Sequence, residues 1–322
     1  MSAGSGPRRL RELLARPEIL VLPGAFDPLS ARIIEQAGFE AVYATGAGFA
    51  NAGFGLPDIG FIGLAEVVEH VGRMTEAVDV PVVVDADTGY GELLQVRRTV
   101  RELERAGAAA IQLEDQVAPK RCGHFDGQQL IGAEDMVRKL AIALDSRRDN
   151  DLVIIARTDA RSVEGLDAAI ERAQAYAAVG ADVIFVEAPR SREELETLPA
   201  KVGAPLLANI VEGGKTPVSS ADQLQEAGFK IALFANTALR ASMAAVRDAM
   251  QTLRADGSPE RVLPHMVSWE ERQETVALTA YRALEDRYAQ GDHHDLAEAR
   301  RNGGADGSAA GSPIAHQGED HQ

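Results

Sequence analysis

A closed (β/α)8 barrel is the fold class this sequence predicts, and three observations predict it. Short apolar runs alternate with helical segments eight times between residues 19 and 234. The runs are continuous rather than interrupted by polar residues, which is the pattern of parallel strands covered on both faces. The acidic residues collect at the C-terminal ends of those runs, where a barrel of this kind places its chemistry. An open doubly wound sheet is the competing architecture, and periodicity alone leaves it open.

A short amphipathic helix is expected at 8–15. The first strand is read at 19–22 and its helix at 27–36, closed by Gly38. Strand two spans 41–45 and runs into Gly46-Ala47-Gly48. That triplet is read as a small-residue loop whose N–H groups approach an anion; its spacing to a third glycine does not fit a dinucleotide motif. A helix at 63–77, strand three at 80–86, a helix at 92–106 capped by Gly107 and strand four at 109–113 follow. Then come a helix at 134–147, strand five at 152–156, a helix at 165–179 closed by Gly180 and strand six at 183–186. A short helix at 192–198, strand seven at 206–208, a helix at 221–227 closed by Gly228 and strand eight at 231–234 complete the barrel. Further helices within 238–253 and 269–288 have no strand left to cover, so they extend the barrel or pack on a partner subunit. From 291 the chain turns polar and rich in Gly, Ala, His and Asp, and disorder is expected. The expected division is a helical segment at 1–18, a catalytic barrel with its C-terminal helices at 19–290, and a tail at 291–322.

Of 322 residues, 45% are hydrophobic and 25% charged, enough to bury a large core. Lys and Arg number 33 against 49 Asp and Glu, a net charge of −16. That argues against a nucleic-acid binder, which needs a basic face, but not against a small anionic substrate held by one local pocket. A single cysteine excludes an intrachain disulfide and fits a reducing compartment. No stretch approaches the ~18 apolar residues of a membrane span, and residues 1–16 lack the apolar core of a secretory signal. A cytoplasmic location is expected.

The chemistry collects at strand ends. Strand three runs into Asp85-Ala86-Asp87-Thr88-Gly89, strand four ends in Glu114-Asp115, strand five in Arg157-Thr158-Asp159 and strand six in Glu187; Asp58 follows strand two. Carboxylates are excluded from a barrel interior unless paired or metal-bound. One such acid alone reads as a salt-bridged strand end. Asp85, Asp87 and Glu114 on adjacent strands, with Asp58, read as a hard-oxygen site for Mg²⁺ or Mn²⁺. Asp85 and Asp87 are two apart, which on a strand points them the same way. Arg157 is read as a clamp for a substrate carboxylate, or as charge balance for the acids. The lone cysteine lies in Lys120-Arg121-Cys122-Gly123-His124-Phe125, a polar loop whose two cations and imidazole favour proton transfer near neutral pH.

Six ordered motifs carry a resemblance: Pro23-Gly24-Ala25-Phe26-Asp27, Thr45-Gly46-Ala47-Gly48, Asp85-Ala86-Asp87-Thr88-Gly89-Tyr90-Gly91, Gln112-Leu113-Glu114-Asp115, Lys120-Arg121-Cys122-Gly123-His124 and Ile155-Ala156-Arg157-Thr158-Asp159. Together they resemble the isocitrate lyase / phosphoenolpyruvate mutase superfamily over residues 19–290. The resemblance implies a (β/α)8 barrel whose eighth helix is swapped between paired subunits, a homotetramer, and bound Mg²⁺.

The superfamily contains carbon–carbon lyases, a P–C mutase, and hydrolases and decarboxylases of oxaloacetate-like acids. The Lys-Arg-Cys-Gly-His loop is similar to that of the lyases, where the cysteine is a general acid; the asparagine-bearing loop of the mutase branch is absent. Phe125 follows the motif where the 2-methylisocitrate enzymes carry a basic residue, and Glu212-Gly213-Gly214-Lys215-Thr216-Pro217 resembles the 2-alkylmalate and 2,3-dimethylmalate lyases. The resemblance therefore implies cleavage of a 2-hydroxy dicarboxylic acid to an α-keto acid such as pyruvate. 2-Methylisocitrate lyase and an oxaloacetate hydrolase or decarboxylase are the alternatives, ahead of a mutase or a non-catalytic barrel. It also implies roles. Cys122 protonates the leaving carbon and Tyr43 is the candidate base. Arg157, Gly123 and His124 stabilise charge, and Lys120 belongs to the same catalytic loop. Glu187 and Asn209 complete the polar shell, Thr45, Gly46 and Ala47 meet the substrate with Asp85, and Asp58, Asp85, Asp87 and Glu114 hold the metal.

Overall fold

In chain order the elements are α1 (Gly6–Ala15), β1 (Leu20–Ala25), α2 (Pro28–Gln36), β2 (Val42–Ala44), α3 (Gly46–Phe54), α4 (Leu64–Ala77), β3 (Val82–Asp85), α5 (Leu93–Arg105), β4 (Ala110–Glu114), α6 (Ala133–Ser146) and β5 (Val153–Thr158). There follow α7 (Ala160–Val163), α8 (Leu166–Ala178), β6 (Val183–Val186), α9 (Arg192–Val202), β7 (Leu206–Asn209), α10 (Ala221–Ala227), β8 (Ile231–Phe234) and α11 (Thr237–Asp256). A 3-10 turn at Leu263–His265 precedes α12 (Trp269–Thr275) and α13 (Leu278–Ala289). The structure is a computed structural model and describes residues 5–121, 127–217 and 219–289. The expected tail at 291–322 lies outside the described residues.

The eight strands are all parallel and close into a barrel, with Leu20 of β1 opposite Ile231 of β8 sealing it. This excludes the open sheet. Strand alternation divides the core in two. Val42 and Ala44, Val82 and Val84, Ile111 and Leu113, and Ile154 and Ala156 face outward beneath the helices. Leu22, Tyr43, Val83, Ala110, Ile155, Phe185, Leu207 and Leu233 face inward and fill the barrel. Leu10 and Leu13 of α1 belong to the inward cluster, so the first helix helps fill the barrel interior. Arg11 anchors α1 by donating to the Asp151 carbonyl at 2.8 Å and to Asp182 Oδ1 at 3.0 Å.

Local signals set the element ends. Asp27 and Ser30 form a reciprocal cap at the start of α2, with Ser30 N donating to Asp27 Oδ1 at 2.7 Å. Gly38, Gly107, Gly180 and Gly228, each expected to end a helix, all lie at φ between 91° and 106°, a region costly for other residues. Two expectations change. Gly46-Ala47-Gly48 is not a loop but the first turn of α3, because Thr45 Oγ1 accepts Gly48 N at 3.3 Å and caps it. The helix expected to end at 198 continues through Pro199 to Val202 and stops at Gly203, φ 68°.

Residues up to Met266 form one compact unit and those from Val267 a second. In the second, α12 and α13 bury none of their side chains. No helix among the described residues is long and apolar enough to cross a membrane.

Outside the barrel mouth, the His70 ring stacks on Phe49 at 3.8 Å. His70 is 8% exposed and its Nε2 has no hydrogen-bond partner among the described residues. Burial lowers its pKa from 6.5 to about 4. The folded protein therefore rejects a proton that the unfolded chain accepts. Stability from this residue is complete above pH 6.5 and is lost as pH falls toward 4, by about 3 kcal/mol in all. His70→Leu is expected to lose less stability than wild type between pH 7 and 4.5 in urea unfolding; parallel pH curves for the two proteins would refute this.

Candidate active site

Strand alternation carried upward builds the site. Two residues beyond inward-facing Val83 is Asp85. Beyond Ala110 come Gln112 and Glu114, beyond Ile155 comes Arg157, beyond Phe185 Glu187, and beyond Leu207 Asn209. Each is thus delivered to the C-terminal mouth by the same parity that fills the barrel below. Asp85, Gln112, Glu114, Arg157 and Glu187 are all at most 9% exposed.

Asp87 reaches the site differently. β3 ends at Asp85, and Asp87 sits in the following turn at φ 47°, so the alternation invoked for the pair does not operate. The two acids still converge: a Cβ on Gly46 would lie 3.0 Å from Asp85 Oδ2 and 3.6 Å from Asp87 Oδ1. A side chain at position 46 would fill the space they face, which accounts for glycine there.

Lys120 supplies the positive charge. Its ammonium lies 2.5 Å from Asp58 Oδ1 and 2.9 Å from Asp87 Oδ1, and the residue is 6% exposed. Burial alone would lower its pKa, but Asp87, Asp58, Glu114 and Asp85 hold it well above the usual lysine range. Burial pushes Asp87 up to about 6, against the pull of Lys120. Glu114 is also raised, by burial, with Arg157 opposing. Asp87, near 6, is suited to proton transfer.

Arg157 is more committed than a free anion clamp. Nε and Nη2 donate to Asp159 at 3.0 and 2.9 Å, Glu114 lies at 3.4 Å and Glu187 at 3.8 Å. The guanidinium also covers the Phe185 ring at 5.2 Å. Balancing these acids is therefore the role visible in the structure. Asn209 Nδ2 reaches Glu187 Oε2 at 3.5 Å. Tyr43 is 2% exposed, and burial, then Asp85, raise its pKa well above 10. Tyr43 therefore holds its proton tightly where it stands beside Asp85 at the mouth.

Sequence reasoning grouped Glu114 with Asp115, and parity separates them. Glu114 enters the barrel, whereas Asp115 turns outward into a buried shell. There it accepts from Thr158 Oγ1 at 2.7 Å, Tyr176 Oη at 2.8 Å, Asp159 N at 3.0 Å and Arg172 Nη1 at 3.4 Å. Arg172 and Tyr176 come from α8, two turns of sequence that carry no motif. The signal that could have found them is a buried-face arginine at 172 four residues before a tyrosine, on one side of a helix. Cys122, Gly123, His124 and Phe125 lie outside the described residues.

The mouth encloses a cavity of about 40 Å³, bounded by Tyr43, Thr45, Ala47, Asp58, Asp85, Lys120, Arg157 and Glu187 on its polar side and by Phe185, Val211 and Leu233 on its apolar side. That is room for a few waters. A larger cavity of about 750 Å³ lies elsewhere, between the end of α3 and α11, lined by Leu239, Met243 and Val246. It has none of the convergent acids and is not the reactive centre.

The donor set suits a hard divalent cation. Glu114 Oε1 is buried without a hydrogen-bond partner among the described residues, and Asp85 and Asp87 face common space over Gly46. Among the described residues no three carboxylates or histidines are close enough to bind one ion together. Magnesium fits such a place because it takes one or two carboxylates and keeps waters elsewhere.

Residues 10–254 match the phosphoenolpyruvate phosphomutase family. The chain is 48% identical to a 2-methylisocitrate lyase of Aeropyrum pernix over 87% of this chain and 89% of that one. It is 41% identical to a 2,3-dimethylmalate lyase of Eubacterium barkeri over 88% and 98%. Among solved structures, a 2,3-dimethylmalate lyase superposes with TM-score 0.84 at 36% identity, covering 89% of this chain and 96% of that one. A phosphonopyruvate hydrolase in complex with oxalate and Mg²⁺ superposes with TM-score 0.80 at 30% identity, over 88% and 99%. With the barrel, the strand-end acids and these matches in agreement, the chain belongs to the phosphoenolpyruvate mutase/isocitrate lyase superfamily.

Proposed function

We propose that the protein is a Mg²⁺-dependent carbon–carbon lyase that cleaves a 2-hydroxy dicarboxylic acid of the 2-alkylmalate type to an α-keto acid, pyruvate for a 2-methylmalate, and a carboxylic acid. The observation that carries this reading is one small cavity bounded by the acids Asp58, Asp85 and Glu187 and by the apolar side chains of Phe185, Val211 and Leu233, with Asp87 beside Asp85 over Gly46. The acids suit a metal-bound hydroxy acid; the apolar side chains suit an alkyl substituent.

Asp85 would hold the ion directly, with Asp58, Asp87 and Glu114 around its water shell. When bound, Mg²⁺ lowers the pKa of the substrate hydroxyl and orients it with its carboxylate. Glu114, kept ionised by Arg157 at 3.4 Å, accepts the hydroxyl proton. Tyr43 and Asn209 donate to substrate oxygens, and Thr45 and Ala47 border the same space. The C2–C3 bond breaks, its electron pair passes to the departing acid as an enediolate, and Cys122 delivers a proton to that carbon. Arg157, with Gly123 and His124, offsets the charge that develops there, and Glu187 keeps Arg157 in place. Excluding water matters because the enediolate would otherwise take its proton from solvent.

The 48% identity to a 2-methylisocitrate lyase supports a second reading on the same scaffold. A tricarboxylate needs one more cation; Lys120 and Arg157 are matched by Asp58, Asp87 and Asp159, and Arg121 borders the same cavity. The apolar side chains of Phe185, Val211 and Leu233 favour the dicarboxylate. We further propose a cytoplasmic homotetramer built of helix-swapped pairs, with residues 19–290 as the catalytic part. Met243, Val246, Met250 and Leu253 on α11, 39–60% exposed, form an apolar stripe that a second copy would cover.

The test is α-keto acid release with Mg²⁺ from 2,3-dimethylmalate, 2-methylisocitrate, isocitrate and oxaloacetate. Turnover should be highest for dimethylmalate, vanish in chelator and return with added Mg²⁺. Release from none of the four, or full activity in chelator, would sink the proposal; a preference for methylisocitrate would install the second reading.

A further inference from the structure

The segment that carries Lys120 leaves β4 and returns to α6, and its two described stems are braced. Gln116 pairs antiparallel with Leu130, Val117 N donates to the Gln129 carbonyl at 2.7 Å, and Ile131 N to the Asp115 carbonyl at 2.9 Å. Within this base, Gln116 is 1% exposed. Its carboxamide makes a reciprocal pair with the backbone of Arg121: Nε2 donates to the Arg121 carbonyl at 2.8 Å, and Arg121 N donates to Oε1 at 2.9 Å. The side chain thus acts as a strand partner, offering one donor and one acceptor as a peptide does. Arg121 in turn reaches back to the second stem, since a Cβ on Gly127 would fall 2.7 Å from its Nη1.

Lys120 is bonded to the residue so clipped. Its ammonium must reach Asp58 and Asp87 at 2.5 and 2.9 Å, and the direction of its side chain is set by the peptide that Gln116 holds. We propose that Gln116 is a positioning residue for the reaction: its carboxamide clip on Arg121 sets the register of the loop so that Lys120 seats among the strand-end acids. The proposal rests on the lyase reading for its catalytic consequence, but not for the seating of Lys120. Methionine at 116 keeps the length and loses both hydrogen bonds. Glutamate keeps the shape and the acceptor but sets an oxygen against the Arg121 carbonyl.

The experiment uses the full chain with Gln116→Met and Gln116→Glu. Amine labelling by reductive methylation, read by mass spectrometry, follows Lys120 with Lys139 as internal control. Lys139 is 7% exposed and donates to the Thr88 carbonyl at 3.1 Å, away from the clip. Both variants should label Lys120 at least fivefold faster than wild type with Lys139 unchanged. They should also lower kcat by about 10- to 100-fold with KM within about threefold, the size expected for a misplaced catalytic group. Lys120 labelling within twofold of wild type in both variants overturns the proposal. So does parallel acceleration of Lys120 and Lys139 in both, which would mean general loosening. Should none of the four acids release an α-keto acid while the Gln116 variants still unseat Lys120, the lyase reading fails and the positioning stands.

Discussion

Cys122→Ser is expected to lower kcat for α-keto acid release by about 10²- to 10⁴-fold, the range that a positioned general acid contributes. A serine hydroxyl has nearly the same size but gives up its proton far less readily. The segment has lysine and arginine at 120 and 121 and histidine at 124, and cations beside a thiol make it the better donor-and-acceptor near neutral pH. Because the chain has one cysteine, loss of activity on thiol alkylation would report the same group. Folding should be unaffected, so melting temperature and far-UV circular dichroism are the controls. Serine turnover within a few-fold of wild type, with the fold intact, would remove Cys122 from the mechanism.

Asp115→Ala should be the most damaging single substitution for stability among those the site brings to notice. It removes the acceptor for Thr158, Tyr176, the Asp159 amide and Arg172 at once. Arg172 would keep Glu164, at 2.9 and 3.0 Å, but would lose its buried partner. Breaking a buried pair by removing one side costs about 3–5 kcal/mol, which for a chain of this size is on the order of 10 °C in melting temperature. Burial raises the pKa of Asp115 despite its bonds, so the loss arises mainly from the orphaned donors rather than from the ion pair itself. Asp115→Asn, which keeps an acceptor oxygen, should lose less. A fall of under 1 kcal/mol for the alanine variant in urea unfolding would show that water or repacking satisfies the shell.

Much of the fold was legible because its signals are local. Eight apolar runs and the glycines that end helices report burial and backbone conformation residue by residue. The strands therefore appear within a few residues of expectation. The site was legible as a set of acids at strand ends, and Asp85, Glu114, Arg157, Glu187 and Asn209 do gather at one mouth. Less legible was which way each acid turns. Glu114 and Asp115 are neighbours with the same chemistry, yet one points into the barrel beside Arg157 and the other braces α8. Thr45 caps a helix where a loop was expected, because an alanine- and glycine-rich stretch has no strong periodicity of its own. Arg157 reads equally as clamp or counter-ion until Asp159 is seen to take two of its N–H groups.

The sequence by itself determined the barrel, its family and the kinds of atom available for chemistry, since strand and helix periods, caps and ordered motifs are properties of neighbouring residues. Only the tertiary structure decided how those atoms share charge. Lys120, 62 residues from Asp58 along the chain, becomes its ion-pair partner only when the barrel closes. Tyr43 becomes a reluctant acid only when buried beside Asp85. Gln116 becomes a clip only when the chain folds back on Arg121. Coulomb and desolvation energies depend on distance and burial in space, and a linear order of residues contains neither.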